Sequence, residues 1–119
     1  MIVDTSALIE LFNRKELDRI VGEKLPLFVL IEFLRGFDAD KAEEIKNILE
    51  KLFTIVPVDN KVILKYIEIY RKLKNKGRMI GDVDLLIASM AITHDEPLFT
   101  RDIKHFLRLK CFGLKLTEV

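Results

Sequence analysis

A single cysteine, Cys111, in 119 residues rules out an internal disulfide, and with it the stapled scaffold of small secreted proteins. No apolar run reaches the ~18 residues that a membrane span needs. Met1-Ile2-Val3-Asp4 has neither the basic start nor the long apolar stretch of a signal peptide. An intracellular, cytoplasmic, soluble protein with no membrane partner is expected. Charge of one sign is missing too. Twenty basic residues against nineteen acidic ones leave +1, far from a basic glove for nucleic acid, although local patches stay open. Three prolines and five glycines give few breaks. With no linker, low-complexity tract or repeat, residues 1–119 read as one domain.

What is present is apolar. A hydrophobic content of 50% and a mean hydropathy of +0.18 exclude disorder and leave apolar surface over for a partner. Short β-branched or apolar runs at Ile2-Val3, Leu27-Phe28-Val29, Thr54-Ile55-Val56, Pro97-Leu98-Phe99-Thr100 and Leu114-Lys115-Leu116 read as five strands. Helical spacing marks residues 7–12, 30–35 and 41–53, then 60–75 with the stripe Val62, Tyr66, Ile69, Leu73, widened by Ile63, Ile67 and Tyr70. Residues 83–93 are apolar almost all round, so that helix is expected to be buried. Short strands separated by helices imply a parallel sheet covered on both faces.

Ligands of such sheets sit outside the carboxyl ends of the strands. There the sequence places Asp4, Glu32 (expected in the first turn after the second strand), Asp84, and Thr100 with Asp102. Each acid has an ordinary reading as well. Asp4 and Asp102 suit helix caps, Glu32 with Arg35 suits a surface ion pair, and Asp82 after Gly81 suits an N-cap. Asp84 is harder to explain away, at the mouth of a buried helix. Converging carboxylates repel unless a cation neutralises them, and all-oxygen sites suit Mg2+ or Mn2+. Zinc is disfavoured, because His94, His105 and Cys111 lack ligand spacing. No G-x-S-x-G, G-x-G-x-x-G or P-loop occurs, which leaves metal-activated water as the nucleophile.

In order, Ile2-Val3-Asp4-Thr5-Ser6-Ala7-Leu8, Val29-Leu30-Ile31-Glu32-Phe33-Leu34-Arg35-Gly36, Asp84-Leu85-Leu86-Ile87-Ala88 and Leu98-Phe99-Thr100-Arg101-Asp102 with His105-Phe106 resemble PIN-domain nucleases, especially VapC-like toxins of toxin–antitoxin pairs. The resemblance spans residues 2–106. It implies a PIN-like three-layer α/β fold, a short-stranded central parallel sheet flanked by helices, and Mg2+-dependent endoribonuclease activity (Mn2+ as substitute) leaving a 3′-hydroxyl and a 5′-phosphate. Asp4, Glu32, Asp84 and Asp102 would be the catalytic and metal-binding acids, and Thr5, Ser6 and Thr100 a supporting shell. Asp82 falls outside the quartet and joins the supporting residues, although its spacing keeps it a contender for the third acid. The resemblance further implies an RNA substrate, a homodimer and an antitoxin partner covering the acidic edge. Arg35, Arg78, Arg101 and Lys104 are candidate phosphate contacts. Two alternatives stay open: a catalytically inactive PIN-fold scaffold for RNA or protein, and a structure-specific DNA nuclease.

Overall fold

Side-chain caps set three of the six α-helix starts. In the computed structural model, which describes residues 1–119, strand β1 (Ile2–Val3) stops at Asp4, whose carboxylate accepts the Thr5 N–H and opens α1 (Thr5–Asn13). A 3-10 turn (Leu17–Ile20) leads into β2 (Lys24–Pro26), and α2 (Leu27–Leu34) follows at once. Asp38 caps α3 (Ala39–Leu52) and Asp59 caps α4 (Asn60–Asn75), each accepting an N–H three residues on. Between them runs β3 (Thr54–Val56). The chain closes with α5 (Asp82–His94), β4 (Leu98–Thr100), α6 (Ile103–Phe106) with a 3-10 extension, and β5 (Leu116–Glu118).

All pairings are parallel, in the order β3-β2-β1-β4-β5. The chain therefore winds outward in one direction from β1, returns, and winds outward in the other through β4. Right-handed crossovers then put α1–α3 on one face and α4–α5 on the opposite one, giving three layers. Helix α5 packs on β1 and β4, and α4 packs on α5. Direction reverses between β1 and β4, so the crevice at their carboxyl ends is the natural ligand position. Ile2, Leu8, Leu25, Leu49, Leu85, Met90 and Leu98 are among the fully buried side chains of one continuous core.

Two strands differ from the sequence reading. Leu27-Phe28-Val29 is helical; the strand lies just before it, ending on Pro26 opposite Val56. Proline tolerates the end of a strand, and its extended backbone (φ −60°, ψ 140°) starts the helix. Glu32 consequently sits in the second turn of α2, not the first. The last strand begins at Leu116 instead of Leu114, with Leu114 buried ahead of it. Helix α5 is largely buried as its composition requires, yet Val83 is exposed beside Ile63 of α4. Ile63 and Ile67 also face outward, so the apolar band of α4 is wider than its packed stripe.

At the amino ends of the strands, Glu96 ion-pairs with the Met1 amino group (2.8 Å) and with Lys24. Hydrogen bonds from both cations hold its carboxyl at about 2. A lowered folded-state value means stability that is present above the ordinary range near 4.5 and lost as pH falls toward 2. Partial exposure screens the effect to about 1 kcal/mol. Urea midpoints of Glu96→Gln should therefore fall short of wild type at pH 7, and the gap should close as pH falls through about 2.

Candidate active site

Asp4 is the centre of the crevice. Its backbone N–H joins the Phe99 carbonyl (3.0 Å), and its side chain is 8% exposed. One carboxylate oxygen accepts the Thr5 N–H (2.8 Å), and the other accepts the hydroxyls of Thr100 (2.7 Å) and Ser6 (3.0 Å). Burial pushes its pKa up, the three hydrogen bonds pull it down, and the Asp84 charge adds to the rise. Burial prevails, so this carboxylate is held at a cost that a nearby cation would remove.

Thr100, at the end of β4, is fully buried and accepts the Asp102 N–H (3.0 Å); Ser6 lies 3.2 Å from it and accepts the Arg101 N–H (3.1 Å). Both hydroxyls thus tie the β4–α6 loop to Asp4. Thr5 contributes only its backbone, as the first residue of α1. Asp102 occupies the cap position of α6 without a side-chain cap bond. Its carboxylate instead borders an open hollow of about 530 Å³ with Lys104, His105 and Glu118.

Asp84 stands in the first turn of α5, half exposed, and its Oδ2 lies 2.7 Å from Nε2 of His105. Asp82 is not the cap; Gly81 holds that position, and Asp82 accepts the Tyr66 hydroxyl at 2.9 Å. That bond faces Asp82 toward α4. Glu32 is half-buried on α2 beside Ile9, Phe33 and Arg35, and no hydrogen bond links it to Arg35 or to the other acids. Arg101 is engaged by Glu10 at 2.7 Å.

The crevice therefore joins Asp4, Ser6, Thr100 and the backbone of Asp102 in one network, with Asp84 near enough to act on Asp4 through its charge. No three His, Cys, Asp or Glu side chains come within reach of a single ion. Carboxylates and hydroxyls are the donor types that suit a hard cation keeping most of its waters, as Mg2+ does, and Asp4 and Asp84 are the two acids that would hold it. The sequence gives His105 a place in the last motif but no role among the candidate acids and hydroxyls. Its spacing after Asp102, on a short turn at the sheet's carboxyl edge, was the available signal.

A family model for the PIN domain matches residues 1–110. Ribonuclease VapC1 of Methanocaldococcus jannaschii is 44% identical over 118 residues, 99% of this chain and 87% of that protein. Ribonuclease VapC1 of Rickettsia felis is 32% identical over 130 aligned positions, covering 100% of this chain and 96% of the relative. Among solved structures, VapBC-1 from nontypeable Haemophilus influenzae shares the fold with a TM-score of 0.83 at 20% identity, covering 98% of this chain and 96% of that one. VapBC2 from Rickettsia felis, bound to a promoter DNA fragment, gives 0.80 at 25%, covering 99% and 97%.

Proposed function

Since the chain belongs to the PIN domain family, we propose that it is a Mg2+-dependent endoribonuclease and the toxin of a toxin–antitoxin pair. The observation that carries this reading is the placement of Asp4, destabilised by burial and facing the charge of Asp84, at the point where the sheet changes winding direction. Relatives named as ribonucleases support RNA as the substrate.

Asp4 and Asp84 would hold the cation, with Asp102 and Glu32 contributing directly or through water. When bound, the divalent ion supplies a nucleophilic water at neutral pH and offsets charge on the attacked phosphate. Thr100 and Ser6 orient Asp4 and favour its ionised form through their hydroxyl bonds, against the burial that raises its pKa. Of the candidate phosphate contacts, Lys104 borders the hollow beside Asp102, whereas Arg101 is drawn to Glu10, which it shares with Arg14.

The test is cleavage of RNA and DNA of one sequence in Mg2+. RNA should be cut and DNA spared. Asp84→Asn should lower the rate by about 10²–10³-fold, whereas Asp82→Asn, whose amide oxygen can still accept the Tyr66 hydroxyl, should stay within about threefold. A dead Asp82→Asn beside an active Asp84→Asn would reassign the third acid. The inactive-scaffold reading draws on the absence of three convergent donors; RNA that is bound and never cut would establish it.

An antitoxin partner is supported by the VapBC structures that share this fold. Silencing would come from a partner arginine, whose guanidinium pairs with two carboxylates and blocks phosphate entry. Mg2+ should then compete with inhibition, and an Arg→Ala scan of the partner should relieve it. A homodimer would use the apolar groove of about 280 Å³ lined by Ile63, Tyr66, Val83 and Leu86. Ile63 is 49% exposed, so Ile63→Asp should yield a folded monomer by light scattering. No helix is long and apolar enough to cross a membrane, and the proposed site of action is the cytoplasm.

A further inference from the structure

His105 closes the crevice. Its backbone N–H donates to the Asp102 carbonyl (3.0 Å), and the Asp102 N–H donates to Thr100, whose hydroxyl donates to Asp4. From the same short turn its Nε2 reaches Asp84 Oδ2 at 2.7 Å, twenty-one residues back in the chain. A chain of hydrogen bonds thus runs from Asp4 through Thr100, Asp102 and His105 to Asp84. It joins the ends of β1 and β4 to the first turn of α5.

The imidazole is held, not loose. It packs edge-on against Phe106 (centroids 5.2 Å apart), and Phe106 is fully buried, which anchors the turn in the core. Asp84, by contrast, is half exposed and has no other side-chain partner. Without His105 its carboxylate would be free to rotate. Carboxylates that ligate metals are themselves commonly oriented by hydrogen bonds, and loss of such a partner weakens metal affinity by about 10–100-fold.

The geometry points to His105 as a positioning residue: it donates from Nε2 to Asp84 and fixes that carboxylate for a divalent cation shared with Asp4. This rests on the ribonuclease reading above. The opposite role has the same starting geometry. A histidine seated on Asp84 could occupy the ligand oxygen, so that the cation must displace it.

Mn2+ binding to the full chain, followed by electron paramagnetic resonance at pH 7.5, separates the two. His105→Phe keeps a ring against Phe106 and removes the donor. It should weaken Mn2+ binding about tenfold and lower the cleavage rate at saturating RNA while leaving KM for RNA unchanged. His105→Gln, whose amide can donate from nearly the Nε2 position, should recover most of both. Mn2+ affinity that is unchanged or tighter in His105→Phe, with wild-type binding still abolished by Asp84→Asn, overturns the positioning role and leaves the ribonuclease reading standing. Wild-type protein that binds no Mn2+ overturns both.

Discussion

Asp4→Asn is expected to abolish RNA cleavage and, without metal, to raise the melting temperature. The two effects have one cause. Asp4 is 8% exposed, and burial lifts its pKa despite three hydrogen bonds. A carboxyl whose folded value is raised contributes stability that is fully present below its unfolded value, near 3.8, and is lost as pH rises through the folded one. At pH 7 the charge therefore destabilises the fold, and neutral asparagine removes that burden. Its oxygen can still accept the Thr5 N–H, while Ser6 and Thr100 turn their hydroxyls to accept from its amide. The gain in melting temperature should shrink steadily as pH is lowered and vanish below about pH 3.5. Calorimetric scans of both proteins from pH 3 to 8 in EDTA check this. An equal gap at every pH would show that repacking, not charge, is responsible.

Thr100→Val should have the largest effect on stability of any isosteric change at the site. The hydroxyl is fully buried, donates to Asp4 and accepts from the Asp102 N–H. Valine preserves the shape, leaves the Asp102 N–H without its acceptor and leaves that Asp4 oxygen with the Ser6 hydroxyl alone. Leaving buried polar groups unpaired costs about 1–3 kcal/mol, or roughly 4–15 °C for a domain near this size. Cleavage should fall as well, because Asp4 loses a bond that favours its ionised form and the β4–α6 loop loses its tether. Thr100→Ser keeps the hydroxyl and should recover most of both. Urea unfolding of the two variants measures the difference; near-equal midpoints would remove Thr100 from the supporting role.

Much of this was legible in the chain because the strand ends carry their own signals. Ile2-Val3 followed by Asp4-Thr5-Ser6 gives a strand, a cap and a hydroxyl at once, and all three are realised. Helix α4 is bounded as its 3.6-residue period requires, closing at Gly77. The second strand is hard to see in the sequence because Lys24-Leu25-Pro26 is too short and too polar to show alternation, while the apolar run after it suits either a strand or a buried helix. The same ambiguity shifts Glu32 within its helix. Partner choice between elements was not legible at all. Whether Asp82 or Asp84 faces the crevice depends on Tyr66 and His105, sixteen and twenty-one residues away, and no local pattern encodes either bond.

Mg2+ readdition to EDTA-treated protein is the most direct test of a metal-dependent ribonuclease built on Asp4 and Asp84. A labelled RNA should survive in EDTA and be cleaved again, with 5′-phosphate ends, as Mg2+ is titrated in; Mn2+ should substitute. Asp84→Asn should remain inert across the same titration. RNA cleaved fully in EDTA, or at equal rates by wild type and Asp84→Asn, would contradict the account.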